Sequence, residues 1–177
     1  YNSAGTLQWA RSVGSNAEND IPSDIFVHTD GSIFVTGKAD FNTNLLLTDN
    51  QFMTVKYSSS GGQDWVAFHG GTRPEGSDIA SSLVVDATGF CYVAGGSENN
   101  GTQKDATVVK YEPAGTVTWF KNYNGEGDFS ESGRSIVVDA NENAYVGGYT
   151  FREGHNRDIF LAQLATNGDT VCTFTFN

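Results

Sequence analysis

The chain has 177 residues, and its 10 lysines and arginines stand against 21 aspartates and glutamates, a formal net charge of −11 at pH 7. This balance argues against nucleic acids and anionic membrane surfaces as partners, because both attract clusters of Lys and Arg. With 21 glycines and 12% aromatic residues, the composition favours strands and tight turns over helices.

A motif with a fixed internal spacing recurs along the chain. An aromatic residue, a glycine four positions later and a tryptophan four positions after that occur at Tyr1–Trp9, Tyr57–Trp65 and Tyr111–Trp119, with a degraded copy at Leu164–Cys172. The copies are separated by 56, 54 and 53 residues. Two further motifs lie between them in a constant order. The sequence is therefore built from repeats, and the fold has to be interpreted as a repeat architecture.

Each repeat is predicted to contain four antiparallel strands. The first is a short apolar run, the second alternates large and small side chains, and the fourth carries the tryptophan. Four-stranded units at this spacing are typical of β-propeller blades, whereas a β-solenoid has shorter coils. We expect an all-β fold, a β-propeller segment with three blades and a leading outer strand, Leu7 to Val13. The expected division is residues 1–13, 20–65, 78–119 and 131–172.

Three blades cannot close a ring, because closed propellers use about four to eight. We therefore expect further blades of the same chain, or another subunit, to cover the two faces left open. Without that cover, strand-borne aromatic residues such as Phe34 and Tyr145 would be exposed in large patches.

The repeat resembles a known bacterial family. The pattern D-A-x-x-I/L-x-V-D-x-x-G-x-x-Y-V-x-G, followed by D-A-x-V-V-K-Y-x-x-x-G-x-x-x-W, is similar to the SBBP β-propeller repeat, best in residues 78–119, well in 131–172 and loosely in 20–65. The resemblance implies a secreted or cell-surface bacterial protein, often large and often exported by the type IX route. It implies no catalytic residues.

One face of the predicted propeller is acidic, because the longer loops carry most of the aspartates and glutamates. Loop 124–132 is the best candidate for a hard cation, since Ca²⁺ takes six to eight oxygen ligands. The possible Ca²⁺ ligands are Asn124, Glu126, Asp128 and Glu131. No loop has the order of an EF-hand, and the alternative, which we favour, is a solvated acidic surface without a cofactor.

Several acidic residues recur at equivalent positions of the repeat. A ring of carboxylates could bind a cation or act as an acid–base pair, but catalysis needs neighbours whose pKa values are pushed apart. A carboxylate that recurs in every unit is more simply structural, as an acceptor for main-chain N–H groups. The recurring residues are Asp20, Asp78 and Glu131 before the first strand, Asp105 and Asp158 at the entry to the third, and Asp86 and Asp139 before turns.

The tryptophans allow two interpretations. Trp9, Trp65 and Trp119 could be stacking platforms for sugars, as in a lectin. Their constant place in the outer strand instead favours packing between blades.

The first repeat has a longer loop with apolar residues. Phe41 and the run Leu45, Leu46 and Leu47 lie among Asn, Thr and Asp. Alternate side chains of an extended segment face opposite ways, so at least one leucine is expected near the surface as a partner contact. The alternative is that the loop folds over its own blade.

We therefore expect a non-enzymatic structural or interaction module of an extracellular, secreted or cell-surface protein, presenting an acidic loop face to other surface or secreted proteins. A lectin-like or Ca²⁺-assisted binding propeller is the alternative, and a propeller hydrolase or lyase is a third interpretation. No apolar run approaches the ~20 residues of a membrane span, so membrane insertion is not expected.

Overall fold

The protein is all-β, with twelve strands in the residues that the computed structural model describes, 3–14, 19–40, 50–154 and 156–176. The strands are β1 (Ile21–Val27), β2 (Ile33–Asp40), β3 (Asn50–Tyr57), β4 (Gln63–His69), β5 (Ile79–Val85), β6 (Cys91–Glu98), β7 (Lys104–Tyr111), β8 (Val117–Tyr123), β9 (Ser132–Val138), β10 (Ala144–Phe151), β11 (Arg157–Leu164) and β12 (Thr170–Phe176). No helix long and apolar enough to cross a bilayer occurs in these described ranges.

The strands form three four-stranded antiparallel sheets in chain order. Sheet I contains β1–β4, sheet II contains β5–β8 and sheet III contains β9–β12, and strands that follow one another within a sheet pair with each other. The three predicted four-stranded units are thereby confirmed. Each sheet extends four residues beyond the tryptophan or cysteine that ends the predicted unit.

In every tight turn between paired strands except one, a glycine takes the left-handed backbone conformation. In the turn between β7 and β8, the amide of Gly115 donates to the carbonyl of Glu112 at 2.8 Å, and Gly115 has φ 91°. Glycine adopts this left-handed conformation without the steric cost of a Cβ. In the turn between β9 and β10, Glu142 takes the same conformation with φ 63°, where the equivalent turns of the other sheets have glycine.

The core lies between the sheets rather than within one of them. Phe34, Phe52 and Tyr111 belong to the cluster between sheets I and II, and Tyr92 and Phe160 to the cluster between sheets II and III. The first strand of each sheet packs against the first three strands of the sheet before it. The prediction that Phe34 is exposed on an open face was therefore wrong, because its side chain faces sheet II and is 1% exposed.

Burial along the strands shows which sheet lies in the middle. Strand β6 is buried at nearly every position because sheet II has a neighbour on both sides. Strand β11 alternates between buried residues and more exposed ones, because sheet III has a neighbour on one side only among the described residues. One face of sheet III therefore remains open.

The leading outer strand, Leu7 to Val13, was not confirmed. The structure assigns these residues to no strand. A strand is defined by ladder hydrogen bonds, and no neighbouring strand pairs with this segment in the part of the chain that the structure describes. The segment nevertheless lies on sheet I, where the side chain of Trp9 contacts Tyr57 with 6.2 Å between the ring centroids.

Candidate interaction site

A tryptophan on the fourth strand of one sheet packs on a turn of the next sheet. Trp65 Nε1 donates to the carbonyl of Pro113 at 3.0 Å, and a Cβ placed on Gly115 would lie 2.7 Å from the indole ring. Trp119 contacts Thr166 and Gly168 in the same way. Only a glycine leaves room for this close approach of ring and backbone. The indole rings of Trp65 and Trp119 thus pack between sheets.

Trp9 makes the same contact from the leading segment. Its Nε1 donates to the carbonyl of Ser59 at 3.2 Å, and its ring covers Gly61. Arg11 adds a hydrogen bond from Nε to the carbonyl of Gly61 at 2.9 Å. The leading segment therefore takes, on sheet I, the place that a fourth strand takes on sheets II and III.

The acids before the first strands join successive elements. Asp78 accepts from the amides of Gly71 and Glu98, both at 2.7 Å, and so joins the end of β6 to the loop after β4. Glu131 accepts from Thr150 Oγ1 at 3.0 Å, and its side chain is fully buried. Asp20 accepts from the amide of Asp40 at 3.1 Å. These contacts fit the structural interpretation.

Burial affects the protonation of these carboxyls. It raises the pKa values of Asp78 and Glu131 above the ordinary range, and hydrogen bonds from main-chain amides oppose the shift in part. The pKa of Asp105 is also raised by burial. Ionised forms are disfavoured because low-dielectric surroundings solvate charge poorly.

The acids of the third strands bond to the residue that follows the second strand. Asp105 accepts from Asn99 Nδ2 at 2.8 Å, and Asp158 accepts from Arg152 Nε at 2.7 Å. Thr72 donates to Asn99 at 3.0 Å from its amide, which connects the network to the loop between sheets I and II. These residues rigidify loops.

The acids that precede turns form Asx-turns, in which the carboxylate accepts a hydrogen bond from a main-chain amide of the turn. Asp86 accepts from the amide of Thr88 at 2.8 Å, and Asp139 accepts from the amide of Asn141 at the same distance. In sheet I the equivalent position is His28, and the nearby Asp30 replaces the missing acceptor by bonding to the amide and the hydroxyl of Ser32. Sequence comparison of the repeats missed this substitution because the acid moved by two positions.

The four possible Ca²⁺ ligands do not meet at one point. Asn124 Nδ2 donates to Asp128 Oδ1 at 2.7 Å on the surface, and Glu126 is also exposed. Glu131 instead points inward to Thr150. Across the described ranges, no group of three His, Cys, Asp or Glu residues has a geometry that could hold a metal ion.

The loop face carries less exposed charge than its acid count suggests. Four acids of this face are buried and used in hydrogen bonds: Asp78, Asp105, Glu131 and Asp158. The exposed acids among the described residues of these loops are Glu75, Glu126, Asp128 and Glu153. Phe41, Leu45, Leu46 and Leu47, the predicted partner contact, lie outside the described residues.

The open face of sheet III is strongly apolar. Val137, Ile159, Phe174 and Phe176 are 57%, 65%, 51% and 55% exposed. Strand register places them on one face, because Ile159 pairs with Phe176 and Val137 pairs with Tyr145. Exposed apolar patches of this kind mark contact sites. Tyr145 lies on this face, as predicted, and is half-buried.

Sheet I has an open face on the other side. Ile25 and Val27 on β1 are each 64% exposed. A cavity of about 210 Å³ lies beneath the leading segment, lined by Arg11, Val13, Val35, Met53, Val55 and Tyr57 among others. The segment therefore covers only part of this face.

An aromatic and cationic cluster lies at the loop end of sheet III. The guanidinium of Arg157 lies 4.5 Å from the ring centroid of Tyr149, that of Arg134 lies 5.2 Å from the same ring, and Phe151 meets Tyr149 edge to face. Sequence reasoning missed the cluster, because Tyr149 stands where β6 has Gly96. This departure from the repeat was the available signal.

Comparisons with known proteins identify no family for the chain. No family profile matches it. A regulatory protein of Caulobacter vibrioides, FlaEY, is 30% identical over 111 residues, which cover 56% of this chain and 11% of that protein. A crystal structure of a protein of unknown function from Bacteroides caccae has a TM-score of 0.54 at 12% identity, over 91% of this chain and 48% of that one. The chain thus matches only a small part of FlaEY and about half of the Bacteroides protein, and the structural likeness shows an all-β fold alone.

Proposed function

We propose that the chain is a segment of a β-propeller and serves as a non-enzymatic structural and interaction module of a secreted or cell-surface bacterial protein. The observation that carries the proposal is the repeated contact between sheets. Trp65 on the turn at Gly115 and Trp119 on the turn at Gly168 join successive sheets by the same geometry. A repeated geometry turns each sheet by a similar step, which is how blades are arranged around an axis.

The position of the strands within each sheet supports the same arrangement. Strand β5 lies against β1, and β9 lies against β5, so the first strands of the three sheets follow one another on one side. The fourth strands, β4, β8 and β12, form the opposite edges. In a propeller the first strands line the channel and the fourth strands form the rim.

A non-enzymatic role is supported by the use of the recurring carboxylates. Asp78 accepts from two main-chain amides, and Asp105, Glu131 and Asp158 each accept from a neighbouring side chain. A general acid or base needs a free lone pair or proton aimed at a substrate. These groups instead hold loops in place, and the exposed part of the loop face, with Glu75, Glu126 and Glu153, is offered to partner proteins.

Electron microscopy of the full-length polypeptide that contains this chain tests the architecture. A ring-shaped particle with a central channel is expected. An elongated particle in which the sheets continue without closing would contradict the propeller.

The proposed location, which depends on the SBBP resemblance, has its own test. Brief protease treatment of intact cells should release peptides of this chain into the medium. Peptides that appear only after the cells are lysed would contradict a surface location.

A further inference from the structure

The two internal junctions define a pair of complementary faces. We use "forward face" for the side of a sheet that bears the tryptophan of its fourth strand and packs on the next sheet, and "backward face" for the opposite side. At each junction the amide of the recurring acid donates to the preceding sheet, from Asp78 to the carbonyl of Asn50 at 3.0 Å and from Glu131 to the carbonyl of Lys104 at 2.6 Å. The same pairing of faces therefore occurs twice.

The two faces that remain unmatched are the forward face of sheet III and the backward face of sheet I. On sheet III, Ile159 and Leu161 take the positions of Ala106 and Val108, which are buried in the junction between sheets II and III. On sheet I, Ile25 and Val27 are exposed. These two faces are the halves of a third junction of the same kind.

The leading segment occupies part of the backward face of sheet I. Trp9 and Arg11 bind the turn at Ser59 and Gly61. Gly14 lies against the carboxylate of Asp20, much as Gly71 lies against Asp78. The segment therefore stands where β12 of another copy would stand if that copy continued the series of sheets.

We propose that the forward face of sheet III binds sheet I of a second copy of this chain, and that residues 7–14 of the second copy block the contact until they are displaced. The proposal rests on the propeller arrangement proposed above, because it extends the internal junction to two copies.

The match extends to the loop end of the two faces. In the junction between sheets II and III, a Cβ placed on Gly96 would lie 3.2 Å from Ser132 Oγ, the residue after Glu131. Tyr149 takes the position of Gly96 on sheet III, and the equivalent of Ser132 on sheet I is Ile21, which is 52% exposed. An apolar ring would thus meet an apolar side chain.

Two copies would contribute six sheets, which is within the range of about four to eight blades in closed propellers. A head-to-tail contact closes into a ring when the rotation per sheet permits it, and otherwise grows into longer assemblies. We therefore expect a closed dimer.

The test uses the full chain with the segment released by Trp9→Ala and Arg11→Ala together. Sedimentation should show the wild type as a monomer and the release variant as a dimer, at twice the 19.0-kDa mass of the chain. Adding Ile159→Glu should weaken the dimer at least about tenfold, because a charge is buried without a partner. Val117→Glu is the matched control, since Val117 is an exposed apolar residue of sheet II outside both faces and should leave the dimer intact.

A cross-linking measurement keeps the proposal testable if the release variant does not fold. Cys172 stands at the tryptophan position of β12, so in the proposed contact it lies over the turn at Ser59 of the second copy. Under a mild oxidant, Ser59→Cys in the otherwise wild-type chain should slowly accumulate a covalent dimer through Cys172, because the disulfide traps the contact each time residues 7–14 leave the turn at Ser59. Thr118→Cys, an exposed position on β8, should give none.

The outcomes separate the two proposals. A folded release variant that stays monomeric, or cross-linking of Ser59→Cys no greater than that of Thr118→Cys, overturns the dimer. If Trp119→Ala still destabilises the chain in that case, the internal junction and the propeller proposal stand. If Trp119→Ala has no effect either, the junction itself is not what joins the sheets, and both proposals fail.

Discussion

Trp119 on sheet II donates a hydrogen bond from Nε1 to the carbonyl of Thr166 on sheet III at 2.9 Å, across 47 residues of sequence. The bond satisfies the polar end of the indole while the ring packs on Gly168. Sheet III has no tryptophan to continue the series, because its equivalent residue is Cys172. The indole contact at each junction therefore joins one tryptophan to one turn, and it can be removed at one junction at a time.

Replacing Trp65 or Trp119 by Ala should destabilise the protein by about 2–4 kcal/mol. This lies at the lower side of the range for emptying a large aromatic site, because both indoles are only half-buried. Trp9→Ala should cost less, since its segment packs on one sheet without strand pairing. Urea unfolding measures the three losses, and equal, small losses at all three positions would contradict the packing role.

Gly115→Ala should destabilise the protein more than Gly89→Ala. Both glycines have nearly the same left-handed φ, 91° and 92°, so both variants pay a backbone strain of about 1–2 kcal/mol. A Cβ on Gly115 would also lie 2.7 Å from the ring of Trp65, whereas one on Gly89 would have its nearest contact at 3.5 Å. The difference between the melting temperatures of the two variants measures the collision of the new Cβ with the ring of Trp65.

A double-mutant cycle checks the cause of this difference. In a Trp65→Ala background the extra cost of Gly115→Ala should fall to the level of Gly89→Ala, because the colliding ring is absent. An unchanged extra cost would show that the turn at Gly115 is sensitive for another reason.

The repeat and its strands were predictable from the sequence because they depend on local patterns. Alternation of side chains and glycine at turns are visible within a few residues, as in β11 and at Gly115. The leading strand was not predictable by the same means. Residues 7–13 have the motif of a fourth strand, but pairing depends on a neighbour that sequence patterns do not show.

The sequence predicted that the recurring acids have a structural role, but it did not predict their hydrogen-bond partners. Their recurrence indicated a structural use, but the partners of Asp78 lie 7 and 20 residues away, at Gly71 and Glu98. The overestimated acidity of the loop face has the same origin, because counting charges does not show which carboxylates turn inward. Glu142 in a left-handed turn was also unexpected, since the other repeats have glycine there.

Calcium should leave the stability of the chain unchanged. A bound ligand at 100 times its Kd would add about 2.7 kcal/mol to the free energy of unfolding, but Asn124 and Asp128 bond to each other and Glu131 points inward. Melting temperatures measured with millimolar CaCl₂ and with EDTA should agree. A rise with Ca²⁺ that is lost in Asp128→Asn would contradict this expectation and support Ca²⁺-assisted binding.

Mild acidification should stabilise the protein through Glu131, because burial of this side chain favours its protonated form. The folded-state pKa of Glu131 is raised above its ordinary value, so the folded protein binds the proton more tightly than the unfolded chain. Stability from this group is thus lost as pH rises from the ordinary pKa through the raised one, and it returns on acidification. The free energy of unfolding of the wild type relative to Glu131→Gln should therefore increase as pH falls from 7 toward 4.

Asp139 is the matched control, because hydrogen bonds from Asn143 lower its pKa, and the wild type should lose stability relative to Asp139→Asn at low pH. If the free energy of unfolding of the wild type and of Glu131→Gln changes with pH in parallel, Glu131 has the same pKa in the folded and unfolded states. That result would contradict the burial of its side chain.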